Sequence, residues 1–398
     1  MPLPVLFRVT TVPVSLKNLI VGQLPYMKAR GFEPIMLSAD GPEREDVIRE
    51  HECPHIIIDL TRKITPLRDL KALWHFYKLC RKYRPVIVHS HTPKAGIIAM
   101  LGAKLAGVPI RLHTVAGLYL LEARGLRRKL LEFVEVLTYA CATKVYPNSR
   151  VLRNILLNSL YNKPDKLKVI GRGSSNGINT SLFSRAQLDE AQLQQLRQQL
   201  GIEPDDFVYV FVGRLVKDKG IEELTAAFIK LNKQHPHCKL LLVGPLEQEL
   251  DPVSEACLAE MEHHPAIIRV GYQKDVRPYL AISQGLAFPS YREGFPNVPM
   301  QAACFDLPCI VTDINGCNEI IVAGENGLII APKSGEQLYD AMEKLLTDKD
   351  LYTHLSANAR KMIVERYEQS LFWGLLLQEY REQLKKHEVV PAVHQALT

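Results

Sequence analysis

Long apolar runs are missing from this sequence. Its most hydrophobic stretches are broken by Lys104 or by Glu132 and Glu135, well short of the roughly 20 uninterrupted apolar residues a bilayer span requires, so a membrane-crossing protein is not expected. The start, Met-Pro-Leu-Pro-Val-Leu-Phe-Arg8, has no basic segment followed by an apolar run and a cleavage site. It reads as a first strand rather than a signal peptide, which implies a cytoplasmic protein. No Cys-x-x-Cys pair occurs among the eight cysteines, and no histidine stands at ligand spacing beside Cys304, Cys309 and Cys317; the cysteines read as reduced core residues, and no metal is expected. Repeats of solenoid type are also lacking.

What is present is an ordinary globular composition, 47% hydrophobic and 23% charged, over 398 residues. That length exceeds what one core usually supports and points to two domains. The net charge of +6 conceals an asymmetry: residues 1 to 175 hold 28 Lys/Arg against 13 Asp/Glu, a surplus of 15, and residues 176 to 398 hold 21 against 30, a deficit of 9. The first half is therefore expected to face something anionic, such as a phosphate-bearing acceptor or a membrane surface. Nucleic acid is discounted, because the basic residues come without the aromatic pattern on which bases stack.

Short β-branched runs alternate with segments of helical period. In the first half strands are expected near 5–12, 33–39, 55–60, 86–91, 110–116, 144–149 and 167–172, with helices near 15–30, 66–83, 93–106, 126–142 and 149–160. A Gln-rich polar stretch, 184–206, reads as a linker. A second series follows, with strands near 207–214, 239–244, 267–271, 285–289, 309–313 and 327–331, and helices near 220–234, 253–262, 297–305 and 334–347. A continuous helix over about 351–387 closes the chain. This alternation predicts two doubly wound α/β domains with parallel sheets, ligands lying at the carboxyl ends of the strands. The expected boundaries are 1–183, 184–206, 207–365 and a tail, 366–398, packing back on the first domain.

Two segments carry chemistry. Phe211-Val-Gly-Arg-Leu-Val-Lys-Asp-Lys-Gly220 leaves a strand and enters a helix. Gly213 lets the backbone approach a ligand, and Arg214 and Lys219 set two cations beside a helix N-terminus, a combination suited to a diphosphate. The plainer alternative is a solvated turn with surface cations. Ser290-Tyr-Arg-Glu-Gly-Phe-Pro-Asn-Val-Pro-Met-Gln301 again joins a strand to a helix; Asn297 is expected to cap that helix, and Glu293 to accept hydrogen bonds from sugar hydroxyls or, more plainly, to favour the helix dipole.

These motifs, with Thr312-Asp313-…-Gly316-…-Glu319 and the first-half segments Val88-His-Ser-His-Thr-Pro-Lys-Ala-Gly96, Arg111-Leu-His-Thr-Val-Ala-Gly117 and Gly173-Ser-Ser-Asn-Gly-Ile178, resemble the retaining glycosyltransferases of family 4, in particular members that build bacterial capsule, exopolysaccharide or O-antigen repeats. The resemblance covers nearly the whole chain. It implies the GT-B fold, two Rossmann-like domains facing across a cleft, with an acceptor-binding N-terminal domain and a C-terminal domain that binds the nucleotide sugar. It implies that Arg214 and Lys219 hold the donor diphosphate, that Glu293 contacts the donor sugar with Gly213, Gly294, Phe295 and Asn297 nearby, and that His113 faces that sugar. His91, Lys94, Ser15 and Lys17 are acceptor-side candidates. Two departures stand out: the family's second glutamate, a ribose ligand, is Gln301, a neutral and weaker acceptor, and Asp306 occupies a position where many members have glycine.

The expected activity is a metal-independent, cofactor-free, retaining transfer of a hexose or N-acetylhexosamine from a UDP-sugar to a lipid-linked or other glycan acceptor. A nucleotide-sugar 2-epimerase or a non-catalytic nucleotide-sugar-binding protein are the alternatives. The basic run Arg124-Gly-Leu-Arg-Arg-Lys129 precedes an amphipathic helix, compatible with peripheral contact with anionic lipid on the inner face of the cell membrane.

Overall fold

The computed structural model describes residues 3–61, 63–118, 124–249 and 251–388. The chain divides into two compact units, residues 1–177 with 370–398, and residues 178–369.

The first unit is built on six parallel strands, β1 (Val5–Val9), β2 (Glu33–Ser38), β3 (His55–Ile57), β4 (Ile87–His91), β5 (Ile110–Val115) and β6 (Lys144–Pro147), in the order 3-2-1-4-5-6. Strand order reverses between β1 and β4, the point at which open α/β sheets bind ligands. On one face Phe7, Val9, Val88 and Val115 pack under the helices Pro66–Tyr83, Pro93–Leu105 and Gly125–Cys141. On the other, Leu6, Ile87, Ile110 and Leu112 pack under Phe372, Leu376 and Tyr380 of the tail helix Gln369–Lys386.

The second unit repeats the plan with β7 (Phe207–Val212), β8 (Cys238–Val243), β9 (Ile267–Gly271), β10 (Gly285–Phe288), β11 (Cys309–Thr312) and β12 (Gly327–Ile330), ordered 12-11-10-7-8-9, all parallel. Its reversal lies between β7 and β10, whose following loops are the two segments singled out in the sequence. The sheet is near-continuously apolar, as burial on both faces requires. All eight cysteines are free and buried; burial pushes the Cys53 thiol up to about 11 and that of Cys304 to about 12.

Several expectations give way. Residues 167–172 form no strand: Leu167 makes one bridge to Val145, and left-handed turns at Gly171 and Gly173 lead the chain off the sheet edge. The helix expected over 15–30 is two, Pro13–Leu19 and Gln23–Lys28, divided at Gly22. A helix unforeseen in the sequence, Arg44–His51, packs Val47 against Leu16 and Leu24. The stretch 184–206 is no free linker; it contains the helix Glu190–Gln199, and its Leu193 and Ile202 join the core of the second unit. The closing helix breaks at Glu368, which accepts from the backbone N–H and hydroxyl of Thr180, leaving helices Lys349–Tyr367 and Gln369–Lys386. Asp306 adopts φ 60°, the left-handed conformation that the position demands and aspartate tolerates.

Candidate functional site

In the second unit, the loops after β7, β10 and β11 are drawn into one cluster. Lys219 Nζ lies 2.5 Å from Glu293 Oε1, the two side chains being only 15% and 16% exposed, and Ser290 Oγ donates to the same carboxylate at 2.9 Å. Behind this pair Arg292 binds Asp218 at 2.8 Å, and the Tyr291 N–H donates to the Asp218 carbonyl. From the third loop Asn315 Nδ2 donates to the carbonyls of Glu293 and Gly294, and Thr312 Oγ1 to that of Ser290. Two glycines permit the approach. A Cβ on Gly220, at φ +71°, would fall 2.2 Å from the Pro289 carbonyl oxygen, and one on Gly244 would fall 1.8 Å from that of Gly213; no larger residue fits either place.

Arg214, half exposed, is held at 2.5 Å by Glu247, which follows β8. The helices Ile221–Gln234 and Asn297–Ala303 begin at this edge, offering backbone N–H groups. Asn297 does not cap the second of them. The cap is Pro296, with Asn297 the first helical residue, because extended backbone is required at the cap and Pro296 supplies it at ψ 133°. Gln301 lies half-buried on the same helix. The arrangement therefore sets Lys219 against Glu293, with Arg214 on the same loop and two helix N-termini at this edge, chemistry that fits a diphosphate joined to a hydroxyl-rich group.

In the first unit, the strand ends carry a buried polar cluster. Arg8 on β1 is 1% exposed. Its guanidinium donates to His89 Nδ1, to His91 Nε2 at 2.7 Å, to Gln23 Oε1 at 2.6 Å and to the Tyr380 hydroxyl at 2.8 Å. His89 and His91 share a face of β4, as their spacing predicts, and their rings stack at 5.0 Å. His113 is also buried, with Nδ1 2.8 Å from Ser90 Oγ and its ring over Gly96; burial lowers its pKa to about 4, so the imidazole is neutral. The remaining acceptor-side candidates are engaged singly: Lys94 with Asp69 at 2.5 Å and Lys17 with Asp46 at 2.9 Å, while Ser15 lies in the helix Pro13–Leu19. Among the described residues, no hydrogen bond or ion pair joins one of these four to another.

Residues 193–362 match a family profile described as "Glycosyl transferases group 1", and residues 21–173 one described as "Glycosyl transferase 4-like domain". The chain is 32% identical over 383 residues to the capsular polysaccharide biosynthesis glycosyltransferase CapM of Staphylococcus aureus, covering 96% of this chain and 98% of that relative. It belongs to the family 4 glycosyltransferases. A second relative, the UDP-Gal:alpha-D-GlcNAc-diphosphoundecaprenol alpha-1,3-galactosyltransferase of Escherichia coli, is 29% identical over 77% of this chain and 78% of its own length. Among solved structures, Anabaena Alr3699/HepE in complex with UDP superposes with a TM-score of 0.79 at 19% identity, covering 96% of this chain and 100% of the other, in keeping with the GT-B fold.

Sequence reasoning missed part of this glycosyltransferase's cluster. Glu247, Asp218 and Asn315 hold the loops or their cations, yet none stood out. The available signal was positional: Glu247 follows the strand beside β7, and Asn315 sits next to the Gly316 already quoted in a motif.

Proposed function

We propose that this glycosyltransferase moves a hexose or N-acetylhexosamine from a UDP-sugar to a lipid-linked glycan acceptor, with retained configuration and without a metal, in the synthesis of a bacterial surface polysaccharide. The observation that carries the reading is the contact of Lys219 with Glu293 across the strand-order reversal of the second unit, with Arg214 on the same loop after β7 as Lys219. The names of the relatives, one capsular and one acting on a diphosphoundecaprenol-linked sugar, support the pathway and acceptor, and the UDP-bound neighbour supports the base.

In the proposed reaction the acceptor oxygen bonds to the anomeric carbon on the face from which UDP departs, the bond from that carbon to the diphosphate oxygen breaks, and the acceptor proton passes to a leaving phosphate oxygen. Arg214, Lys219 and the N–H groups at Gly294, Phe295 and Asn297 stabilise the charge gathering on the diphosphate, while Glu293 orients the sugar and Gln301 accepts from ribose. The second unit is thus the donor-binding part and the first the acceptor-binding part, to which His113 contributes a neutral imidazole held by Ser90.

Contact with anionic membrane is part of the same proposal. On helix Gly125–Cys141, Leu126 and Phe133 are 85% and 64% exposed, with Leu130 between them, beside Arg124, Arg127, Arg128 and Lys129. Leu67, Leu70 and Trp74 form a second outward stripe on Pro66–Tyr83. Among the described residues no helix is long and apolar enough to cross a membrane.

The test is release of nucleoside diphosphate from a panel of UDP- and GDP-sugars with bacterial lipid extract in EDTA. Acceptor-dependent release from one UDP-sugar is expected, falling by ~10²–10³ in Arg214→Ala, Lys219→Ala and Glu293→Ala. Conversion of donor without acceptor would replace transfer by epimerisation, and release abolished by EDTA would remove the metal-independent mechanism.

A further inference from the structure

Among the described residues, no carboxylate pairs with the positive charge held in the polar cluster of the first unit. None of the groups bonded to the Arg8 guanidinium is a carboxylate. Glu379, on the same helix as Tyr380, is committed to Lys168, Tyr146 and Gln383. Burial, and next the Arg8 charge, hold His89 and His91 well below the ordinary histidine range, so both are neutral. A fully buried cation surrounded by neutral groups is destabilising unless something compensates it.

The direction of each hydrogen bond shows what is left over. Arginine only donates, so His91 Nε2 accepts and its ring proton lies on Nδ1, an atom that is buried without a partner. Arg8 Nε–H is buried without a partner as well. His89 accepts at Nδ1 and therefore donates from Nε2 to Thr114 Oγ1 at 2.8 Å, leaving the threonine hydroxyl proton to donate. Ser174 Oγ accepts from the N–H of Gly177 at 3.0 Å, so its proton too is a donor. Arg8, His91, Thr114, Ser174 and Ser175 line one enclosed pocket at the carboxyl ends of β1, β4 and β5, closed by Phe372 and Leu376 of the tail helix. Its volume is about 10 Å³, room for one water-sized body.

We propose that this pocket is an anion site, taking a single small anion such as chloride or one anionic oxygen of a phosphate group. A water offers lone pairs to two donors but must also place its own two protons, whereas the two unpartnered groups among the lining residues, Arg8 Nε–H and His91 Nδ1–H, can only donate. An anion accepts from both and neutralises Arg8. The position, at the reversal between β1 and β4, is where sheets of this type hold ligands.

The full-length protein is to be crystallised from bromide and its anomalous density measured, and its melting temperature followed as chloride or inorganic phosphate replaces gluconate at fixed ionic strength. A bromide peak within hydrogen-bond distance of Arg8 and His91, and a melting temperature rising with chloride as a saturable ligand requires, establish a halide site. A rise with phosphate alone assigns the pocket to a phosphate oxygen. In His91→Phe the apparent affinity is expected to drop at least tenfold, with Arg8→Lys, its fold checked by circular dichroism, as a second variant. Absence of a peak together with equal melting temperatures in all three salts overturns the proposal, as does a salt response that His91→Phe leaves intact. Because the readout is binding, these outcomes are independent of whether sugar transfer is found.

Discussion

Lys219 and Arg214 each rest on a carboxylate, Glu293 and Glu247. Holding a cation on an acid before the diphosphate arrives keeps the loop ordered, but it also sets up a competition, since each cation has to be shared with the ligand or released to it. The two pairs differ in kind. Glu293 is itself assigned to the sugar, so removing it takes away a contact as well as a competitor. Glu247 has no such role, and its pair with Arg214 is about half exposed. Exposed pairs contribute up to about 1 kcal/mol, so Glu247→Ala is expected to tighten UDP binding by roughly two- to fivefold, measured by isothermal titration calorimetry. Weaker binding in that variant would mean that Glu247 orients Arg214 toward the ligand rather than holding it away.

Elements were legible where one physical signal ruled. The strands β7 and β8 are apolar except for Lys239 because both faces are buried, and their expected limits lie within two residues of those found. Residues 167–172 carry the same signal and fail, since the glycines at 171 and 173 turn the chain and Lys168 is drawn to Glu379 of the tail. The cluster at the donor site was legible by motif, but its pairings were not: Lys219 and Glu293 are 74 residues apart, and only the strand order makes them neighbours. The Arg8 cluster was invisible for the same reason, one arginine in an apolar run giving no sign of the two histidines and the tail tyrosine that surround it. The helix Gly125–Cys141 offers an element-scale prediction. Leu126, Leu130 and Phe133 recur at helical spacing yet face solvent, so changing Leu126 and Phe133 to serine is expected to shift stability by no more than about 0.5 kcal/mol each, while reducing co-sedimentation with anionic vesicles severalfold. Undiminished sedimentation would remove this helix from the membrane contact.

At the scale of the molecule, buried histidines tie stability to pH. Burial lowers His51 and His113 to about 4 from an ordinary value of 6.5. Between these values the unfolded chain binds protons that the folded one refuses, so stability is full above about pH 6.5 and falls as pH drops toward 4, by up to about 1.4 kcal/mol per pH unit for each histidine. Melting temperatures measured from pH 7.5 down to 4.5 should decline over that window; a flat profile would mean that these imidazoles are hydrated in solution. The second unit begins and ends on hydrogen bonds between Ile178 and the pair Tyr367 and Gln369, so it is one contiguous passage of chain, set between the two stretches that form the first unit. For a protein made from its N-terminus, this reverses the usual order of completion. The opening 177 residues leave the ribosome first, yet the sheet face bearing Leu6 and Arg8 stays uncovered until Phe372, Leu376 and Tyr380 are added. At ordinary elongation rates of about 5–20 residues per second that wait is roughly 10–40 s, long enough for the half that is synthesised first to be the half that most needs shielding by a chaperone.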